Sequence, residues 1–239
     1  MMQNTEKMNS HRKTARIVGI LFITATAAAV LSVVLLGPVL ADPDYLNIFP
    51  VNGNKVILGA LLDLIGAAAF VALAVVIFPI LKKHNESIAL GYVVARVIEA
   101  VPFIIANTSL IALLTLSQEY LQAGAPDSSN FLPVGAGLLA AYDFSQLLGP
   151  RVLASLAALP FYYLLYQSEL LPRWISVWGF IGAPLYLASG LLGIFGLVDP
   201  LSPILVLLFL PAAILEMVLA VWLIVKGFNT SALIAPSIK

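Results

Sequence analysis

The 239-residue chain is 61% hydrophobic and 10% charged, with a mean hydropathy of +1.03; soluble domains carry about 25% charged residues, so a soluble globular fold is excluded. The formal net charge is zero, and no run of Lys and Arg is long enough to grip phosphates, which excludes nucleic acid as an expected partner. Cysteine is absent, which removes disulfides, thiolate metal ligands and cysteine nucleophiles, and the two histidines, His11 and His84, lie in polar flanks.

A bilayer core of about 30 Å needs about 20 apolar residues in a helix. Six segments meet that requirement: about Arg16 to Leu40, Val56 to Leu81, Ile88 to Leu116, Val134 to Tyr166, Trp174 to Val198 and Leu201 to Val225. The expected fold class is an all-α, polytopic membrane bundle. It comprises one transmembrane domain over residues 16–228, a polar N-terminal tail over 1–15 and a short C-terminal tail over 229–239. Turn-forming residues punctuate the connectors, as in Ala41-Asp42-Pro43-Asp44, Asn52-Gly53-Asn54, Gly124-Ala125-Pro126-Asp127 and Asp199-Pro200. The fourth segment is longer than a perpendicular span, so it should tilt, kink or extend past the interface. The basic start, apolar run and Val39-Leu40-Ala41 resemble a cleavable signal peptide. The run far exceeds the roughly 7–15 residues of a signal core, so a retained first span is expected.

Loop charge sets the expected orientation. Lys7, Arg12, Lys13, Arg16, Lys82, Lys83, Arg173, Lys226 and Lys239 fall on the side of the termini, against Lys55 alone on the other. Both termini are therefore expected in the cytoplasm. Acidic Asp42, Asp44, Glu119, Asp127 and Asp199 fall outside, and Trp174, Trp178 and Trp222 fall near cytoplasmic ends, where indoles favour the headgroup zone.

Asp63, Arg96, Glu99, Asp143, Arg151 and Glu216 interrupt the apolar segments, each at a cost of roughly 2.5–3.5 kcal/mol at bilayer depth. At about 1.5 Å per residue, Arg96, Glu99 and Glu216 fall some 12–16 Å from the cytoplasmic ends of their spans. Arg151 falls a little higher, and Asp63 and Asp143 in the outer half. Arg96 and Glu99 are three residues apart and share a helix face, so they can pair within the helix. Tyr92, Phe103 and Asn107 continue that stripe, which should face the bundle interior. Glu216 has no basic residue within its own turn, so its partner is expected from another span, with Arg96 or Arg151 the candidates.

Prolines flank these charges. Pro102 frees the carbonyl of Ile98, Pro150 that of Gln146 and Pro211 that of Leu207, while Pro160 and Pro184 bend the fourth and fifth spans. Broken helices beside charges are how transporters build midplane sites. Asp63 lies between Gly59 and Gly66, where small residues permit close helix approach. Asp143 has Tyr142, Ser145 and Gln146 beside it. No spanning segment contains histidine, so Ser-His and His-zinc proteases lack their parts, and no phosphate loop is present. Asp63 and Asp143 do not lie in the contexts of a paired-Asp protease, apart from the weak dipeptide Tyr142-Asp143. The short match of Val97–Val101 with Ile214–Val218 is a faint sign of inverted halves.

Four stretches carry a resemblance. They are Arg16-Ile17-Val18-Gly19-Ile20-Leu21, the third-span run Gly91-Tyr92-Val93-Val94-Ala95-Arg96-Val97-Ile98-Glu99-Ala100, the entry Pro172-Arg173-Trp174-Ile175-Ser176-Val177-Trp178-Gly179, and the sixth-span run from Pro211 through Glu216 to Phe228. From about Arg16 to Phe228 the chain resembles the prokaryotic membrane family called domain of unknown function 4386. The resemblance implies a six-span protein of a bacterial or archaeal cytoplasmic membrane and draws attention to Arg96, Glu99, Arg173, Glu216 and Lys226. It implies no activity.

The leading expectation is a membrane protein whose buried Arg/Glu cluster binds or conducts a small solute or ion. Arg96, Glu99, Arg151, Glu216, Tyr92 and Asn107 form its expected site, and Asp63, Asp143 and Gln146 are secondary candidates. No metal or cofactor is expected; the lipid bilayer is the expected surrounding. The alternative is a structural, sensory or accessory protein in which the same charges only fix helix register. A lipid-active enzyme ranks third, with Glu99, Glu216 or Asp143 as its acid/base groups.

Overall fold

In lipid every backbone polar group must be satisfied within its own segment, so apolar spans of this kind fold as helices. The computed structural model describes residues 2–124, 130–198 and 202–234. Ala125, Pro126, Asp127, Asp199, Pro200, Leu201, Lys239 and the Lys7 side chain, all used above, lie outside the described residues. The helices are α1 (Met2–Leu40), α2 (Tyr45–Val51), α3 (Gly53–Leu81), α4 (Glu86–Gln122), α5 (Phe131–Leu147), α6 (Ala154–Ser168), α7 (Arg173–Ile194), α8 (Pro203–Val225) and α9 (Thr230–Ile234). A π-helical turn, Leu148–Leu153, joins α5 to α6. Six helices are long and apolar enough to cross a membrane, with α5, the π-turn and α6 acting as one span from Phe131 to Ser168.

The spans close into a ring in chain order. Helix α1 packs on α3, α3 on α4, α4 on the α5–α6 span, α6 on α7, α7 on α8, and α8 returns to α1. Small residues permit the close approaches: a Cβ on Gly19 would lie 2.7 Å from the Ala220 carbonyl, and one on Gly66 3.4 Å from that of Ala25. The outer faces are apolar, with Val33, Val34, Leu207 and Val221 exposed, as a lipid-facing surface requires.

Two apolar cores fill the ring. One, at the N-terminal end, joins Ala15, Val18, Leu81, Ala89, Leu170, Ile175, Leu223 and Phe228. The other, at the opposite end, joins Leu36, Val39, Phe49, Val56, Leu110, Leu114 and Tyr142. There α2 is pinned to the start of α5 by the Tyr45 hydroxyl, which donates to the Leu132 carbonyl at 2.9 Å.

Several boundaries differ from the sequence reading. Helix α1 begins within the expected tail. The fifth span stops at Ile194 rather than Val198, because Gly196 adopts φ +64°. The Leu197 N–H then donates to the Leu192 carbonyl at 2.9 Å and the Gly196 N–H to that of Gly193 at 3.0 Å, the bond pattern of a Schellman stop. Helix α4 starts where the Asn85 side chain accepts from the Ile88 N–H. Pro150 has no N–H to give Gln146, and the fourth span absorbs that defect as the π-turn.

Candidate functional site

The stripe on α4 faces inward throughout: Tyr92, Arg96, Glu99, Phe103 and Asn107 are all buried. Arg96 is 4% exposed and Glu99 2%, which decides that neither meets lipid. One terminal nitrogen of Arg96 donates to both Glu99 oxygens, at 2.8 and 3.0 Å. Aromatic rings hold the guanidinium in place. Its carbon lies 4.7 Å from the Phe70 ring centre and 5.5 Å from that of Tyr92, and Tyr92 stacks on Phe161 at 4.8 Å. Such cation–π contacts gain strength where water is excluded.

Glu216, on α8, is turned toward the same layer. It lies within electrostatic reach of Arg96 and Glu99, yet the ion pairs among the described residues are Arg96–Glu99 and Arg173–Glu169. Neither Arg96 nor Arg151 therefore contacts Glu216 as a direct partner. Glu216 is half-buried and lines a cavity of about 20 Å³. Arg96, Ser155, Tyr162, Tyr186 and Ala212 also line that cavity. The Arg96 Nε is buried without a hydrogen-bond partner, as are the Tyr92 hydroxyl and the Thr26 hydroxyl. Thr26 nonetheless stands beside Glu216. A water needs about 10–15 Å³ and two to four polar neighbours, so the cavity has room for one water-sized occupant.

Arg151 leaves the π-turn toward α7. A Cβ on Gly190 would lie 2.9 Å from the Arg151 Cβ, and the guanidinium reaches electrostatically to Tyr186, itself within reach of Glu216 and Arg96. One Arg151 terminal nitrogen has no partner. Arg151 thus borders the cluster through Tyr186 without pairing in it. Asn107 is taken up within its own helix, its amide donating to the Phe103 carbonyl at 2.8 Å.

Asp63 and Gln146 come together. The Gln146 amide donates to the Asp63 carboxylate at 2.9 Å, tying α3 to α5, and the Ser32 hydroxyl donates to the neighbouring Gly59 carbonyl at 3.0 Å. Asp63 is buried, whereas Asp143 is exposed on the outer side of α5. No group of three His, Asp or Glu side chains among the described residues is placed to hold a metal ion.

Thr26, Phe70, Ser155, Tyr162 and Tyr186 were not picked out by sequence reasoning. Depth alone would have found Thr26, ten residues into the first span and so about 15 Å deep, level with Glu216. The aromatic and hydroxyl neighbours carried no such signal, because tyrosine and serine are ordinary in membrane helices.

No curated protein and no solved structure matches the chain. The family model of domain of unknown function (DUF4386) matches residues 17–227. That match spans nearly the whole bundle, including both carboxylates and the guanidinium of the central cluster, and the chain belongs to this family of integral membrane proteins with six membrane-crossing helices.

Proposed function

We propose that Arg96, Glu99 and Glu216 form a binding site for an occupant no larger than a water molecule: a proton or a small bare cation. The protein carrying it would sit in a prokaryotic cytoplasmic membrane with both termini in the cytoplasm. Charge count supports the reading. One guanidinium balances one carboxylate, and Glu99 takes that place at 2.8 Å. Glu216 is the surplus, half-buried and without an ion-pair partner among the described residues, and a charge withdrawn from water in this way favours a counter-charge. The observation that carries the proposal is the cavity of about 20 Å³ that Glu216 shares with Arg96, whose Nε has no hydrogen-bond partner. Ordinary ligand pockets measure about 300–1,000 Å³, so a larger solute does not fit this cavity.

The structural alternative draws support from Asp63 and Gln146, whose bond links two spans directly. The Arg96–Glu99 pair gives it less, because both partners lie on one helix.

Melting of the purified protein in uncharged detergent, titrated with protons and separately with sodium, tests the reading. The melting temperature should rise with one of these ions, as binding to the folded state requires, and Glu216→Gln should abolish the rise. Identical ion dependence in wild type and Glu216→Gln overturns the proposal.

A further inference from the structure

At the N-terminal end of the bundle, the turn between α6 and α7 and the end of α8 line an open cleft of about 310 Å³, within the range of small-molecule sites. We propose that it binds the phosphate-bearing headgroup of an anionic phospholipid. Two cations from separate elements line it: Arg173, the first residue of α7, and Lys226, which follows α8. Lys226 enters no ion pair among the described residues. Arg173 gives one terminal nitrogen to Glu169 and keeps its other donors, and a planar fork of this kind suits phosphate. Pro172 offers no side-chain cap to α7, so the positive end of that helix adds to the field.

The walls are set before any ligand arrives. The Asn229 N–H donates to the Leu170 carbonyl at 2.8 Å and its amide to that of Glu169 at 3.3 Å. These bonds hold Glu169 at φ +53°, a left-handed conformation uncommon for a residue with a side chain. Trp222 lines the cleft and packs edge-on against Trp174 at 6.1 Å, with Trp178 beside it. Indoles collect at headgroup level, and basic pockets between spans take anionic headgroups. Val221 and Val225 are exposed beside them on α8, a path for an acyl chain. Free phosphate would use the two cations but neither the indoles nor the apolar flank.

The test is thermal stabilisation of the full-length protein in uncharged detergent by short-chain phosphatidylglycerol, phosphatidylcholine or inorganic phosphate. Phosphatidylglycerol should raise the melting temperature and phosphatidylcholine should not. Its half-saturating concentration should rise about five-fold in Arg173→Gln and in Lys226→Gln. It should fall in Glu169→Gln, which removes the competing carboxylate. Arg173 and Lys226 are exposed, so neither substitution empties the core. Absence of stabilisation, or stabilisation unchanged in both cation variants, overturns the site. Equal stabilisation by inorganic phosphate overturns the lipid assignment.

Discussion

The residues that matter most are polar groups kept where water is scarce, and each is handled differently. Arg96 is neutralised within its own helix turn and wrapped by rings. Asp63 is met by an amide from another span. Glu216 has neither and faces a water-sized space instead. The i to i+3 spacing made the Arg96–Glu99 contact legible from the sequence, and the stripe through Tyr92 and Asn107 marked the buried face correctly. The sequence could not show that Glu216 stops short of Arg96, since depth gives a layer but not the rotation of a helix about its axis. It also missed that Asp63 meets Gln146, because the two lie on spans that are not consecutive. That bond yields a prediction. Asp63→Ala strands a half-buried amide and should cost about 1 kcal/mol, whereas Asp63→Asn keeps an acceptor and should melt close to wild type. Equal losses in the two variants, read as melting temperatures, would show that the hydrogen bond contributes nothing.

Helices here are shaped by proline and glycine more than by amphipathic pattern, since a span has lipid on one side and apolar protein on the other. Sequence reasoning located the prolines and the overlong fourth segment, but not how that span relieves its defect. The π-turn takes up the hydrogen bond that Pro150 cannot donate, and Gly149 lets it sit close to α4, where a Cβ would lie 2.9 Å from the Pro102 Cβ. That contact aims Arg151 toward α7. Glycine sets the closest approach elsewhere. A Cβ on Gly179 would come 2.3 Å from the Cγ of Tyr162, a rigid ring that also borders the central cavity. Gly179→Ala should therefore destabilise the protein by about 1–3 kcal/mol through overpacking, visible as a lower melting temperature. Gly137→Ala, where nothing lies within 4 Å, is the control and should not lower it.

For the whole molecule, composition and span length alone specified an all-helical six-span bundle, because few other folds satisfy a backbone in lipid. They did not specify the ring closed by α8 on α1, which depends on Gly19 lying against Ala220. The proposed orientation rests on loop charge and makes a clear prediction. The chain lacks cysteine, so single cysteines introduced at Ser10 and at Asn54 report without background. In intact cells an impermeant thiol reagent should label the variant at Asn54 and spare the one at Ser10; the reverse pattern would invert the bundle.

The central claim is that Glu216 is a surplus carboxylate, not the partner of Arg96. Comparing the melting temperatures of Arg96→Gln and Glu216→Gln in one detergent tests it most directly. Losing Arg96 leaves buried Glu99 without its partner and within electrostatic reach of Glu216, and should cost about 3–5 kcal/mol, while losing the Glu216 charge leaves a balanced pair and should hold or raise the melting temperature. If Glu216→Gln proves as damaging as Arg96→Gln, Glu216 is paired in the native protein and the account is wrong.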